Sequence, residues 1–240
     1  MVNNTDNRYF SGKCELIHTR IGNFLKDEDA KADANAYFNS REPKYGKGKT
    51  NWIKAVTPFT GAEHKGGITK LAVGENVLLI GNRESFSEGQ YPDEPQKAGM
   101  SMVHIFAIPK ANYFNPVSMK PEDAHIINDM IDFFYDQWGR IEFREAVLEH
   151  QKKAIEARGG KKLEDLVQEK EQYEELEEII RILHADEFAF GFHLWPDNSI
   201  EHLHMHIIAM PDDCRQYSTK LNDEKTVDAF EVYDEVKRQL

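Results

Sequence analysis

The sequence predicts an α+β fold in which antiparallel strands form a sheet and separate helices pack against it. Residues 202–208 read His-Leu-His-Met-His-Ile-Ile, and a period of two is typical of a strand with one buried face. Residues 68–73 and 77–82 are apolar runs separated by a short polar turn, which is the pattern of a β-hairpin. Apolar residues follow a helical spacing after Pro121 and after Thr226. Runs of strands with separate helices favour the α+β class.

Three further strands are predicted over residues 52–56, 100–109 and 187–194. In the second of these, Val103, Ile105 and Ala107 share one face. The other face carries His104, Phe106 and Ile108. In the third, Phe188, Phe190 and Phe192 share one side.

The predicted helices divide the chain into an N-terminal arm, a domain and an insertion within that domain. A thin apolar stripe of Ala30, Ala34, Tyr37 and Phe38 predicts a short helix over residues 27–38. It lies in residues 1–50, which we interpret as an N-terminal arm or extension. Residues 51–240 form the predicted domain. Within it, residues 141–184 are an insertion, a charged helical hairpin whose helices meet at Gly159-Gly160.

Composition restricts the function classes. The formal net charge of −12 argues against a basic surface for nucleic acid or anionic membrane. Two cysteines without CxxC spacing indicate a reducing compartment. No window approaches the length of an apolar membrane span. We therefore expect a soluble cytoplasmic protein, with the nucleus as an alternative, and neither membrane nor nucleic acid as partner.

On the predicted triad strand, His202, His204 and His206 point to one side, with Leu203 and Met205 opposite. Protonated neighbours would repel one another, so neutral imidazoles are expected near pH 7. Three interpretations follow. The histidines lie on a solvated face, they are zinc ligands, or one is a nucleophile for phosphoryl or nucleotidyl transfer.

Four motifs resemble the histidine triad, or HIT, superfamily. The triad resembles its His-x-His-x-His signature, and residues 104–110, His-Ile-Phe-Ala-Ile-Pro-Lys, resemble a second family strand. Residues 79–83 are similar to the strand end that meets the ribose in dinucleoside polyphosphate hydrolases. The run from Gly191 to Glu201 is similar to the Hint/aprataxin-like branch. The resemblance implies a HIT-like antiparallel sheet with packed helices, here with the helical hairpin inserted.

The resemblance also implies roles for particular residues. His204 would attack the α-phosphorus and form a nucleotidyl-histidine that water hydrolyses, without a metal or cofactor. His202 and His206 would orient it and bind phosphoryl oxygens, and His104 would complete the cluster. Ser199 would protonate the leaving group, and His193 would contact a phosphate or act as an acid. Asn82 would bind the ribose, and Asn198 would contact the nucleotide. A homodimer is also implied.

Besides the inserted hairpin, the sequence departs from this pattern in two ways. Where the Hint-type branch has a glycine-rich phosphate loop, residues 195–198 are Trp-Pro-Asp-Asn. Pro196 has no N–H to donate, and an inward-facing Asp197 would repel phosphate. No Cys/His zinc-finger set follows the triad, so DNA repair is not expected.

The function expected from these residues is a hydrolase that cleaves a nucleoside phosphoramidate, acyl-nucleotide or dinucleotide and releases an AMP- or GMP-like nucleotide. Three alternatives stay open. They are a dinucleoside polyphosphate hydrolase, a catalytically weak nucleotide-binding or scaffold protein, and a zinc hydrolase that uses the same histidines.

Overall fold

The computed structural model describes residues 8–39, 57–83, 98–216 and 218–239. Within these ranges the chain forms seven α-helices and six strands. The helices are α1 Cys14–Lys26, α2 Glu28–Asn39, α3 His125–Trp138, α4 Ile141–Gly159, α5 Val167–Ile182, α6 Asp212–Arg215 and α7 Ala229–Lys237. The strands are β1 Lys70–Val73, β2 Val77–Gly81, β3 His104–Pro109, β4 Phe188–His193, β5 Met205–Ala209 and β6 Thr226–Asp228.

The strands form one antiparallel sheet in the order β1-β2-β3-β5-β4-β6. The predicted hairpin is β1 and β2, in which Val73 pairs with Leu78. Strand β5 lies between β3 and β4, so the motifs at residues 104–110 and 191–201 flank the triad strand. The predicted α+β class is confirmed.

The two faces of the sheet have different compositions. One face joins the main core through side chains such as Ile105 and Ala107 of β3 and Met205 and Ile207 of β5. The opposite face carries His104 and Phe106 of β3 with His206 of β5. This is the alternation predicted from the period of two.

Helix α3 supplies the main aromatic packing under the sheet. Phe134 stands edge-on to Phe188 and Phe190 of β4, with ring centroids 4.8 and 5.6 Å apart. Trp138 is also fully buried and donates its indole N–H to the carbonyl of Leu183 at 3.0 Å. The predicted stripe of α3 is confirmed, although Pro121 opens a short 3₁₀ turn, Pro121–Asp123, ahead of the helix.

The charged hairpin consists of α4 and α5, which contact each other. Helix α4 ends at Gly159 and is capped by Gly160, whose φ of +62° is the left-handed conformation that favours glycine. Leu176 and Ile180 of α5 and Leu183, which follows the helix, are buried at the spacing of one helical face.

The two N-terminal helices pack against the main core. Ile17, Ile21 and Phe24 of α1 are buried there, together with Tyr37 of α2. The predicted stripe of α2 holds for Ala30, Ala34 and Tyr37, whereas Phe38 is 52% exposed. Phe38 directly follows Tyr37, about 100° further around the helix, and so leaves the buried stripe.

Other predicted boundaries differ. Strand β5 begins at Met205 rather than His202 because the N–H of Leu203 donates to the carbonyl of Tyr113, away from the strand ladder. The helix predicted from Thr226 begins at Ala229, since residues 226–228 pair with β4 as β6. The predicted strand 52–56 and most of the long loop after residue 83 lie outside the described residues. No helix in the described ranges is long and apolar enough to cross a bilayer.

Candidate active site

A cavity of about 620 Å³ lies over the histidine-bearing face of the sheet. Four histidines from three neighbouring strand segments line it: His104, His193, His204 and His206. Asn82 lies at the end of β2 and Ser199 in the loop between β4 and β5, and both also line the cavity. The sheet thus brings together six of the eight residues implied by the sequence motifs.

His204 is held in one orientation by its own chain. Its Nδ1 lies 2.6 Å from the carbonyl oxygen of His202. A carbonyl only accepts hydrogen bonds, so Nδ1 carries the proton and Nε2 keeps its lone pair. The ring is 7% exposed and packs edge-on against Phe59 and Phe106, at centroid distances of 5.2 and 5.6 Å. Such an imidazole presents an unprotonated nitrogen to the cavity.

His202 does not line this cavity, although it shares the predicted strand register. Its Nε2 donates to the carbonyl of Pro109 at 3.0 Å, and its Nδ1 lies 2.5 Å from the hydroxyl of Tyr37. With Nε2 donating, Nδ1 accepts from that hydroxyl. The expectation that all three triad rings meet the phosphate therefore does not fit His202, which contacts His204 through its backbone.

A relay of hydrogen bonds fixes the protons of two other rings. Nδ2 of Asn82 donates to Nδ1 of His104 at 2.9 Å. Nε2 of His104 consequently carries a proton and donates to Nδ1 of His206 at 3.0 Å. The proton of His206 is then on Nε2, which has no hydrogen-bond partner among the described residues. The relay ends in an N–H donor on a residue that lines the cavity.

His193 stacks beside this relay, with its ring centroid 4.1 Å from that of His206. Its Nε2 lies 3.0 Å from the hydroxyl of Thr226, which donates to the carbonyl of Asn222 at 2.6 Å. The hydroxyl therefore accepts from Nε2–H, and Nδ1 of His193 keeps its lone pair.

Burial keeps all five of these imidazoles neutral at pH 7 because desolvation disfavours the charged ring. It lowers the pKa of His204 and His202 to about 4, that of His104 to about 3 and that of His193 to about 2. The pKa of His206 is lowered well below 6.5 by the same burial, and by His193 and His204 beside it.

The charged side chains that line the cavity are cationic. They are Lys65, Arg83 and Lys225, and no carboxylate belongs to the lining in the part of the chain that the structure describes. This contrasts with a chain of net charge −12. Asp197, in the loop that departs from the glycine-rich pattern, pairs with Arg20 of α1 and is absent from the lining. The cavity thus suits an anion.

The two loop residues differ in position. Ser199 lies at the cavity and is exposed. Asn198 is not among the lining residues, and its Nδ2 donates to the carbonyl of Ile200 at 2.9 Å. Asn198 therefore stabilises the local turn and lies outside the cavity in which the predicted nucleotide contact would be made.

The nitrogens of the site make several protein contacts, which limits metal coordination. Both ring nitrogens of His104 and of His202 are hydrogen-bonded, as are Nδ1 of His204 and Nε2 of His193. Over the described ranges, no group of three or more His, Cys, Asp or Glu side chains is arranged to hold a metal ion.

Comparison with protein families gives one match. Residues 153–221 match the family described as scavenger mRNA decapping enzyme C-term binding, which is a HIT-like domain. The match supports the histidine-triad superfamily. It covers 69 of the 240 residues and includes α5, β4 and the triad. It also supports a hydrolase of the HIT type, and it gives no support to the Hint/aprataxin-like branch. No curated protein matches the chain.

Several residues at or beside the site were not identified from the sequence. Tyr37 reaches His202 from the predicted arm, and Lys65 and Lys225 line the cavity from distant loops. His150 of α4 donates to the carbonyl of Asn82 at 3.0 Å. A histidine within a Glu- and Lys-rich helix was the only sequence signal for this contact.

Proposed function

We propose that this protein is a nucleotide hydrolase that cleaves at the α-phosphate through a nucleotidyl-His204 intermediate. The observation that carries the proposal is the hydrogen bond from Nδ1 of His204 to the carbonyl of His202. It leaves Nε2 unprotonated inside a cavity whose charged residues are cationic. Phosphoryl transfer depends mainly on such positioning and charge stabilisation.

In the first step, Nε2 of His204 attacks the α-phosphorus, the N–P bond forms and the bond to the leaving group breaks. The imidazolium keeps Nδ1–H on the carbonyl of His202, which favours the positive charge on the ring. Nε2–H of His206 donates to a phosphoryl oxygen. A phosphate leaving group departs as an anion, whereas an amine or alkoxide takes a proton. Ser199, which lines the cavity, is the implied donor, and the water that enters in the second step returns that proton to it.

In the second step, water attacks the same phosphorus and the N–P bond breaks. The nucleoside monophosphate leaves, the water proton passes to the phosphate product or to solvent, and His204 returns to its neutral form. Nδ1 of His193 keeps its lone pair, but the low pKa of this ring makes it a weak base and leaves the product phosphate or solvent as the acceptor.

The cations favour a substrate with more than one phosphate. Lys65, Arg83 and Lys225 provide three positive charges, more than a single α-phosphate requires. A dinucleoside polyphosphate or a cap-like dinucleotide would place the additional phosphates of its leaving group beside them. This alternative is therefore favoured over a phosphoramidate or acyl-nucleotide.

Rapid quenching during turnover tests the mechanism. The purified protein is mixed with diadenosine polyphosphates, a cap dinucleotide and adenosine 5′-phosphoramidate, and then quenched and digested. We expect a nucleotidyl adduct on the peptide that contains His204, and fastest turnover of a polyphosphate. The exposed His125→Ala variant serves as control. Turnover by His204→Ala equal to that of the control would reject the covalent mechanism.

The same assay separates the zinc alternative. Turnover is measured after dialysis against a strong chelator and again after zinc is added back. Unchanged rates are expected for the covalent mechanism, because its nucleophile is an imidazole nitrogen. Loss of activity that zinc restores, without an adduct, would favour a zinc hydrolase.

A further inference from the structure

We infer that helix α4 is part of the active-site architecture, and that His150 is a positioning residue that sets the hydrogen-bond relay ending at His206. The inference rests on the proposed function for its catalytic consequence. It assigns a role to a helix that the triad motifs do not include.

Three side chains of α4 bind the backbone that carries the cavity residues. Nε2 of His150 donates to the carbonyl of Asn82 at 3.0 Å. Nη1 of Arg158 donates to the carbonyl of Arg83 at 3.0 Å, and Nε2 of Gln151 donates to the carbonyl of Met102 at 2.8 Å. The first two carbonyls follow β2, and the third precedes β3. The helix therefore holds both strand ends at the rim of the cavity.

Gly81 makes this close approach possible. A Cβ atom built at Gly81 would lie 2.2 Å from Cδ2 of His150, far inside van der Waals contact. The imidazole thus lies against the backbone of β2, and it is only 4% exposed. The buried imidazole of His150 and its hydrogen bond to the Asn82 carbonyl together fix the position and orientation of the Asn82 peptide.

The contact is transmitted to the reacting groups through the side chain of Asn82. Its Nδ2 donates to His104, whose Nε2 donates to His206. The backbone N–H of Asn82 also donates to the carbonyl of His104 at 3.3 Å. If the Asn82 peptide shifts, the amide no longer meets Nδ1 of His104. The proton then has no fixed position in the relay, and His206 loses its defined Nε2–H donor.

Two variants of His150 separate its shape from its hydrogen bond. His150→Phe keeps a ring over Gly81 but removes the donor, whereas Gln has an amide Nε2–H that can reach the same carbonyl. Glu145→Ala, at an exposed position on the same helix, is the control. We expect His150→Phe to lower kcat about tenfold, which is the effect of one lost hydrogen bond. His150→Gln should keep most of the wild-type kcat.

The decisive measurement is ¹⁵N NMR of the histidine side chains in substrate-free protein. Wild type, Glu145→Ala and His150→Gln should show His104 and His206 as single Nε2–H tautomers. His150→Phe, or His150→Met if the Phe variant does not fold, should show averaged tautomers. A wild-type tautomer pattern in the variant without a donor would overturn the inference. So would a His150→Gln variant that folds but shows averaged tautomers. Because this readout needs no turnover, its failure is distinct from failure of the His204 mechanism.

Discussion

The hydroxyl of Tyr37 lies 2.5 Å from Nδ1 of His202, which joins helix α2 to the residue that orients His204. Tyr37 also contacts the hydroxyl of Thr60 at 2.8 Å. Since His202 uses its other nitrogen on Pro109, the tyrosine hydroxyl donates to the histidine and accepts from the threonine. Burial raises the pKa of Tyr37 to about 12, so the hydroxyl keeps its proton.

Tyr37→Phe should therefore destabilise the fold. The change leaves Nδ1 of His202 as a buried acceptor without a donor, which costs about 1–3 kcal/mol. Urea unfolding at neutral pH measures the loss in the free energy of unfolding. Tyr9→Phe is the matched control because Tyr9 is 55% exposed. Equal stability of the two variants would contradict the assigned hydrogen bond.

The buried histidines predict a dependence of stability on pH. In the folded protein the pKa values of His204, His202 and His104 are about 4, 4 and 3, whereas an unfolded histidine has a pKa near 6.5. Between these pKa values the unfolded chain binds more protons than the folded protein. The free energy of unfolding is therefore greatest above about pH 7 and falls as the pH drops towards 4.

Below its unfolded pKa, each of these histidines should lower the free energy of unfolding by up to about 1.4 kcal/mol per pH unit. Urea unfolding at pH 7.5, 6 and 5 measures the summed slope. The exposed His125→Ala variant should keep the wild-type slope. A free energy of unfolding that stays constant from pH 7.5 to 5 would show that these rings are not held neutral.

Removal of one cavity cation should affect substrates according to their phosphate number. We expect Lys225→Gln or Arg83→Gln to raise KM for a dinucleoside polyphosphate about five- to tenfold, because one charge interaction with the additional phosphates is lost. KM for adenosine 5′-phosphoramidate should change much less. Lys120→Gln, an exposed lysine outside this cavity, is the control. Equal changes for both substrates would place the additional phosphates elsewhere.

Gly81→Ala should destabilise the protein by about 1–3 kcal/mol through overpacking against His150. The penalty should shrink in a His150→Ala background, where the added methyl group has room, and a double-mutant cycle in urea measures this coupling. Gly22→Ala is the contrasting control. Beyond the local backbone of helix α1, no atom lies within 4 Å of a Cβ at Gly22, so alanine should stabilise the helix by about 0.5–1 kcal/mol. Additive effects of Gly81→Ala and His150→Ala would contradict the close contact.

Patterns of apolar and polar residues predicted much of the fold, because the periodicity of a strand or a helix depends only on residues that are close together in the chain. The alternation in β3 placed His104 and Phe106 on the face opposite Ile105. The double glycine marked the end of α4. The helix boundary near Thr226 was misplaced because pairing with β4, more than thirty residues earlier in the chain, decides the conformation of residues 226–228.

The sequence by itself determined the faces of the strands, since these depend on side chains two residues apart, and its resemblance to the HIT superfamily implied His204 as the candidate nucleophile. Only the tertiary structure decided which nitrogen of each imidazole carries the proton and which cations line the cavity. It also showed that Tyr37 and His150 reach the histidine cluster. The physical reason is that a hydrogen bond is a relation between two groups in space. Here the partners lie 165 residues apart for Tyr37 and His202, and 68 apart for His150 and Asn82.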